Sequence, residues 1–117
     1  MIKRGDIYKV DLGLVNLFKC NQKGLHYVVV ISNDKNNRYN SFVDVVPFTS
    51  RGKKKYLPTH VTCEILDDGE SGQFLGEMIQ PIDKDILTNV EKAEYIGHIE
   101  NNVLLDKFVN AIINQIS

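Results

Sequence analysis

The sequence predicts an α+β domain that is mainly β: a small barrel-like sheet that carries a C-terminal amphipathic helix. Most of the chain consists of short β-branched and aromatic runs bracketed by turn-forming residues, which is typical of strands. Residues 101–116 instead place apolar side chains at spacings of three and four, the period of an amphipathic helix. Many short strands followed by one terminal helix favour this architecture.

One domain is expected to account for residues 1–117. The chain is 43% hydrophobic, which supports one core, and it is too short for two ordinary domains. A formal net charge of -1 neither requires nor forbids a polyanionic partner, so a nucleic-acid site would be a local patch. No apolar run approaches the roughly 18 residues of a membrane helix, and the N-terminus lacks the apolar core of a signal peptide. We therefore expect a cytoplasmic protein without membrane contact.

No metal or other cofactor is expected. Cys20 and Cys63 are isolated and lack the close spacing of a metal knuckle, so both are predicted to be reduced thiols. His60 precedes Cys63 at an odd spacing on a predicted strand, where such positions face opposite sides of a sheet. A metal site built on this pair is therefore disfavoured.

Three strands are predicted in the first half of the chain. Residues 6–12 alternate polar and apolar side chains, which indicates a half-buried strand. Residues 24–33 contain a continuous apolar run typical of a buried strand, and residues 42–49 repeat the β-branched and aromatic composition. The link between these two strands, residues 34–41, is rich in asparagine.

The two central strands predict a specific pairing if they form an antiparallel hairpin. With Asn33 facing Phe42, the numbers of paired residues keep a constant sum along the ladder. Counting back along both strands then places His26 opposite Thr49. This juxtaposition of a histidine and a threonine is the main candidate for a functional centre.

The second half of the chain predicts short strands separated by turns. The predicted strands are residues 60–65, 73–79 and 95–99. Pro81 is expected to end the second of these, and residues 83–87 suit a short helical turn. Glu100 or Asn101 is placed to cap the C-terminal helix. Segments without clear periodicity, which are predicted loops, are residues 14–23 and 50–56.

Five strings in this order resemble the MazF/PemK/Kid family of toxin endoribonucleases. They are Lys3-Arg4-Gly5-Asp6-Ile7-Tyr8, Val28-Val29-Val30-Ile31-Ser32-Asn33-Asp34, Val45-Val46-Pro47-Phe48-Thr49-Ser50, Leu57-Pro58-Thr59-His60-Val61 and Ile82-Asp83-Lys84. Each string is weak evidence alone, but together they span nearly the whole chain. The resemblance implies an SH3-like barrel, a homodimer and metal-independent, sequence-specific cleavage of single-stranded RNA, including messenger RNA. It also implies control by a cognate antitoxin.

The resemblance also implies the positions of the catalytic residues. Thr49 ends the Val-Val-Pro-hydrophobic-Thr strand, and His26 stands where the family motif Gly-x-Arg-Pro has its arginine, with Tyr27 in place of proline. Gln80 stands where many members have a second arginine, in Glu-Gln-Ile-Arg-Thr-Ile-Asp-Lys. Glu77, in the same stretch, is a candidate base or orienting group for His26.

Histidine suits the chemistry that RNA cleavage without a metal requires. The ribose 2′-hydroxyl must attack the adjacent phosphate, which needs a proton acceptor, a donor for the leaving 5′-oxygen and positive charge near the phosphate. An unperturbed histidine, with a pKa of about 6.5, exchanges protons near neutral pH, whereas arginine is mainly a phosphate clamp. We therefore expect His26 to be the acid/base group and Thr49 to hold the scissile phosphate or hydroxyl. The products would carry a 2′,3′-cyclic phosphate and a 5′-hydroxyl.

Residues that bind RNA are predicted around this centre. The basic segment 51–55 follows Thr49 directly, where cations would contact the phosphate backbone without reading bases. Reading single-stranded RNA also needs base-edge donors and aromatic faces. The candidate RNA-binding residues are Gln22, Lys23, Arg51, Lys53, Lys54, His60 and Gln80, and the candidate stacking residues are Phe18, Tyr27 and Tyr56.

Structural roles remain open for several of these residues. A lone histidine at a strand start is commonly hydrogen-bonded and inert, threonine favours strands, and a basic loop is commonly solvated. His60 equally suits a role in fixing its corner of the chain, and His98 is interpreted as structural. At the level of function, the alternatives are a catalytically silent RNA- or antitoxin-binding protein and a gyrase poison resembling CcdB. The absence of tryptophan disfavours the gyrase poison.

Overall fold

The computed structural model describes residues 1–11, 25–49, 60–63 and 72–116 of the chain. Seven strands form one antiparallel sheet: β1 (Asp6–Asp11), β2 (Leu25–Val30), β3 (Phe42–Thr49), β4 (His60–Cys63), β5 (Gly72–Leu75), β6 (Gln80–Asp83) and β7 (Ala93–His98). The described helices are α1 (Asp34–Tyr39), α2 (Lys84–Thr88), α3 (Asn102–Ile116) and a 3₁₀ turn (Gly76–Met78). The prediction of a mainly β fold with a C-terminal helix is confirmed.

The strand order is β4-β5-β3-β2-β1-β7, and β6 pairs with β3 outside this path. The long strand β3 therefore has β2 along one edge and two successive partners along the other. Phe48 and Thr49, at its C-terminal end, pair with β5, and residues 42–45, at its N-terminal end, pair with β6. The 3₁₀ turn connects β5 to β6, so the chain bends where it passes from one part of β3 to the other.

Two apolar clusters bury the two faces of the central strands. Successive residues of a strand face opposite sides, so the continuous apolar run of β2 supplies Val28 and Val30 to one cluster and Val29 to the other. The first cluster contains Ile2, Tyr8, Val10, Val28, Val30, Val43, Val45, Ile82, Leu87 and Ala93. The second contains Ile7, Val29, Ile31, Val46, Phe48, Phe74, Ile99, Phe108 and Ala111.

Helix α3 covers the second cluster. Its Phe108 ring is fully buried and stacks on Phe74, with ring centroids 4.1 Å apart and ring planes within 2° of parallel. The helix is capped by Asn101, whose Oδ1 accepts hydrogen bonds from the backbone N–H groups of Val103 at 3.0 Å and Leu104 at 3.2 Å. The predicted helix is thus confirmed, with Asn101 as its capping side chain.

Gly5 joins three parts of the fold. Its N–H donates to the carbonyl oxygen of Val30 at 2.7 Å, and its carbonyl accepts from the N–H of Ile99 at 2.9 Å. Its φ of +94° is in the left-handed region, and an added Cβ would lie 3.1 Å from the Ile99 carbonyl oxygen and 3.2 Å from a Leu105 methyl carbon. Glycine is therefore required where the first string of the family resemblance enters β1.

The predicted strand over residues 73–79 is wrong beyond Leu75. The chain forms the 3₁₀ turn at Gly76–Met78 and then resumes as β6. Pro81 does not end a strand but lies within β6, opposite Asp44 of β3. Proline lacks the N–H that a second partner would need, and β3 is the one described strand that pairs with β6, so the position tolerates proline.

The asparagine-rich link between β2 and β3 is the helix α1, tied to both strands through a buried hydrogen-bond network. Asn33 caps this helix by accepting from the N–H of Asn36 at 2.8 Å. Asn37, with no exposed surface, donates to the Ser32 carbonyl at 2.9 Å and accepts from the Ser32 hydroxyl. The Ser32 hydroxyl in turn accepts from the N–H of Asp44 at 3.0 Å.

We expect Asn37→Ala to lower the free energy of unfolding by about 2 kcal/mol or more, because it leaves the Ser32 carbonyl without its side-chain donor and the Ser32 hydroxyl without its acceptor. Lys35→Ala, on the exposed part of the same helix, should change it by less than about 0.5 kcal/mol. Urea unfolding of both variants measures the difference. Equal effects would show that the network does not stabilise the fold.

Tyr8 makes the fold sensitive to alkaline pH. It lies in the first cluster, and its ring meets Tyr95 edge to face at a centroid distance of 5.5 Å. Burial raises the pKa of the Tyr8 phenol from 10.0 to about 12, and the nearby Asp6 carboxylate and Tyr95 act in the same direction. In that pH range the unfolded chain releases the Tyr8 proton while the folded chain keeps it, so rising pH favours unfolding.

Between pH 10 and 12 the free energy of unfolding of the wild-type protein should fall as the pH rises, and that of Tyr8→Phe should fall less steeply. Below pH 10 the free energy of unfolding should depend less on pH in both proteins. Urea unfolding across this pH range provides the measurement. Tyr39→Phe is the matched control, because Tyr39 is 72% exposed and its removal should leave the wild-type slope in place. A Tyr8→Phe slope equal to that of the wild type would refute the assignment.

Candidate active site

The register of the β2–β3 hairpin is the predicted one. Four pairs are present, and in each the residue numbers add to the same total; they are Tyr27–Phe48, Val28–Pro47, Val29–Val46 and Val30–Val45. His26 and Thr49 are the next residues of their strands beyond the Tyr27–Phe48 pair. Extended by one step beyond the last observed pair, the same register would place these two positions side by side.

Pairing on the other sides extends this juxtaposition into a row across the sheet. His26 pairs with Val10 of β1, Thr49 pairs with Gln73 of β5, and Gln73 pairs with Thr62 of β4. We call these five positions the transverse row. Paired positions share one face of a sheet, so the Val10, His26 and Gln73 side chains lie on the same face.

The adjacent row of pairs anchors the transverse row to the second apolar cluster. It runs through Lys9, Tyr27, Phe48, Phe74 and Val61. Phe48 and Phe74 belong to the second cluster, and Tyr27 and Val61 pack against it. The transverse row is therefore carried by strands whose opposite face is held by packed rings, which fixes its backbone.

His26 lies at the partly exposed end of this arrangement. Its side chain is half-buried, and no part of the chain that the structure describes forms a hydrogen bond with the imidazole. Tyr27, which replaces the family proline, faces the other way, and the Lys9 ammonium lies 5.6 Å from the centre of its ring. Within the described residues, the imidazole is thus positioned by its strand, and neither ring nitrogen has a hydrogen-bond partner there.

The other predicted site residues lie in different parts of the fold. Gln80 begins β6 opposite Val45, which precedes Thr49 by four residues, a distance of roughly 13 Å along a strand. Glu77 is exposed on the 3₁₀ turn. His60 begins β4 opposite Leu75 of β5. The predicted RNA-binding residues Gln22, Lys23, Arg51, Lys53 and Lys54 lie outside the described residues, so their roles stay predictions.

Gln73 is a candidate that sequence analysis missed. It lies opposite Thr49, it is only 5% exposed, and its Oε1 is buried without a hydrogen-bond partner in the described part of the protein. The residue itself falls at the start of a predicted strand, but nothing in the sequence indicates that this strand pairs with the end of β3. Its place beside Thr49 is a property of the long-range pairing.

His98 lies at the opposite end of β1 from His26. Its Nδ1 is 2.8 Å from Oδ1 of Asp6, which is 4% exposed, and Oδ2 of Asp6 accepts from the Lys3 N–H at 2.8 Å. This contact joins the end of β7 to the start of β1. It supports the structural role predicted for His98.

The described residues contain no group of three or more His, Cys, Asp or Glu side chains arranged to hold a metal ion. None of the described helices has the length and apolar character needed to cross a membrane.

Comparison with known proteins assigns the chain to a family. The family model described as PemK-like, MazF-like toxin of type II toxin-antitoxin system matches residues 3–116. A curated relative, Endoribonuclease MazF of Staphylococcus saprophyticus subsp. saprophyticus, is 38% identical over 101 residues, which cover 83% of this chain and 79% of the relative.

Solved structures of distant relatives share the fold. One is a mycobacterial endoribonuclease solved in complex with its cognate antitoxin, with a TM-score of 0.73 at 23% identity over 99% of this chain and 95% of that chain. Another is MazF from Deinococcus radiodurans, with a TM-score of 0.72 at 19% identity over 98% of this chain and 96% of that chain. The match over almost the entire length shows that the sheet and the C-terminal helix form the same architecture.

Proposed function

Because the chain belongs to the PemK-like, MazF-like family of toxins of type II toxin–antitoxin systems, we propose that it is an endoribonuclease toxin. Its substrate is single-stranded RNA, including messenger RNA, cleaved at a short preferred sequence without a metal ion, and it acts in the cytoplasm. The observation that carries the proposal is the hairpin register, which runs to the Tyr27–Phe48 pair and, extended by one step, would bring His26 beside Thr49. The family resemblance, independently of that register, assigns the catalytic roles to the same two positions.

The proposed reaction is an internal transfer at phosphorus. The 2′-oxygen forms a bond to the adjacent phosphorus while the bond to the 5′-oxygen breaks. A proton leaves the 2′-hydroxyl, and another is delivered to the departing 5′-oxygen. His26 serves as the acid/base group, and Thr49 is its partner. Cationic stabilisation comes from the charged form of His26 or from Arg51, Lys53 and Lys54.

A cognate antitoxin is the second proposed partner. The mycobacterial relative with the same fold was solved in complex with its cognate antitoxin. We propose that an antitoxin encoded with this chain binds it and blocks RNA cleavage. Adding the purified antitoxin to a cleavage reaction tests this directly, because inhibition should reach completion at a stoichiometric ratio.

A catalytically silent protein that only binds RNA or an antitoxin is the alternative. The observation that favours it is the presence of His26 and Gln80 where the family motifs carry arginine. Incubating the purified protein with a long single-stranded RNA in EDTA, followed by mapping of the fragment ends, separates the two. Cleavage with 2′,3′-cyclic phosphate ends supports the toxin, and binding without cleavage supports the silent protein.

The surface of the described residues favours a homodimer. Several large apolar side chains are exposed, and two of them, Val103 at 65% and Ile113 at 46%, lie on α3. Apolar surface of this kind is commonly covered by a second subunit. The exposed set is Met1, Tyr39, Phe42, Val90, Tyr95, Ile96, Val103 and Ile113.

We expect light scattering to give twice the 13.3 kDa mass of one chain at micromolar concentration. The apparent mass should fall on dilution, because association depends on concentration. A mass of one chain that does not change with concentration would exclude the homodimer.

His26→Ala and Thr49→Ala should each lower RNA cleavage roughly a hundredfold or more, because each removes one member of the catalytic pair. The double substitution should lower cleavage by less than the product of the two effects, since residues that act as a unit are not additive. Single-turnover cleavage of a defined RNA measures all three. His98→Asn is the control, because it changes a histidine outside the pair and keeps a donor for Asp6.

His26→Arg supplies the second arm of this test. Arginine restores the residue of the family motif, so the variant should retain cleavage, while the activity change between pH 5 and 8 that a histidine confers should disappear. An active His26→Ala variant, together with wild-type cleavage that does not vary over this pH range, would mean that His26 is structural. Glu77 would then be the next residue to substitute.

A further inference from the structure

Gln73 occupies the position of the transverse row that follows Thr49. The β3–β5 ladder pairs Thr49 with Gln73, and the hairpin register, extended by one step beyond Tyr27–Phe48, would place His26 on the other side of Thr49. Facing positions on neighbouring strands have Cβ atoms about 4.5–5.5 Å apart, and two strand spacings amount to roughly 9.6 Å. Gln73 is thus the direct neighbour of Thr49, and His26 lies one strand further away.

The side-chain oxygen of Gln73 is in an unfavourable environment. It is buried, the residue is 5% exposed, and no donor among the described residues bonds to it. A buried carbonyl oxygen without a donor destabilises a folded protein, and nearly all such groups have partners. Protein sites that keep an unfavourable group commonly do so because their function uses it.

An amide oxygen can only accept a hydrogen, so its missing partner must be a donor. A threonine hydroxyl has one hydrogen to donate and two lone pairs that accept. If the hydrogen of Thr49 goes to Gln73, the lone pairs of Thr49 remain to accept from an imidazole N–H of His26. The order of the row then fixes the direction of the whole chain of hydrogen bonds.

We propose that Gln73 is a positioning residue that completes a hydrogen-bond chain with RNA bound: His26 N–H donates to Thr49 Oγ1, and Thr49 O–H donates to Gln73 Oε1. This arrangement leaves the other ring nitrogen of His26 without a hydrogen, so it accepts the proton of the 2′-hydroxyl. A base oriented by a further group is a recurring arrangement in nucleophilic catalysis. The inference rests on the proposed function, and it specifies the role of Thr49 within it.

Gln73→Met tests the chain, because it keeps the shape of the side chain and removes the acceptor. We expect kcat to fall about tenfold or more with little change in KM, since a base that is no longer oriented acts less often in the right geometry. In a Thr49→Val background the same substitution should have no further effect. Gln73→Glu keeps an acceptor oxygen and should retain more activity than Gln73→Met.

The stability of Gln73→Met separates positioning from a structural role. Removing an unpaired buried oxygen should leave the melting temperature unchanged or raise it. Asn37→Ala, in helix α1 at the other end of the β2–β3 hairpin, is the control, because it should lower the melting temperature and leave the kcat of the folded protein unchanged. A Gln73→Met variant that is less stable or unfolded would overturn the inference.

The His26 tautomer gives a readout that does not depend on turnover. With RNA carrying a 2′-deoxy residue at the cleavage site, imidazole ¹⁵N shifts should show one neutral tautomer in the wild type and a mixture in Gln73→Met. Equal tautomer populations or equal kcat in the two proteins would overturn the inference alone. Failure of the wild-type protein to cleave RNA or to bind the analogue would overturn the proposed function, and the inference with it.

Discussion

The pairing register of β2 with β3 is the constraint on which the site depends. Val28 and Val30 belong to one apolar cluster and Val29 to the other, so both faces of β2 are buried. A slip by one residue would exchange the two sets and place every one of these side chains against the wrong neighbours. Because the apolar run is buried on both faces, the core itself sets which residue of β3 lies beside His26.

The pairing register of β2 with β3 can be predicted from the sequence because the two strands are close together in the chain. The strands are separated by a short link, and their composition predicts both the ladder and its register, which four observed pairs confirm. The C-terminal helix and its Asn101 cap were predictable for the same reason, from spacing within one segment. The helix α1 was not, since asparagine has a low helix propensity, and this helix depends on the buried contact of Asn37 with Ser32.

Long-range pairing sets the limit of such predictions. The sequence predicts one strand over residues 73–79, but the structure divides this segment, because β5 and β6 pair with different ends of β3 and the 3₁₀ turn connects them. The same division brings Gln73 beside Thr49. The hairpin register that leads to His26 and Thr49 was thus predictable from the sequence, whereas the pairing of Gln73 with Thr49 was not, because it is set by how β5 docks on β3.

The presence of His26 where the family motif has arginine gives a physical reason for the role proposed for Gln73. A guanidinium carries five donors and a permanent charge, so it binds phosphate in many orientations without a partner that sets its proton positions. An imidazole has two different nitrogens, and it acts as a base only when the one facing the substrate lacks a hydrogen. A site that relies on His26 therefore needs a group that determines which nitrogen carries the proton. Thr49 can donate or accept, so it cannot determine this alone. In the proposed hydrogen-bond chain, an acceptor at Gln73 would fix the direction of both hydrogen bonds.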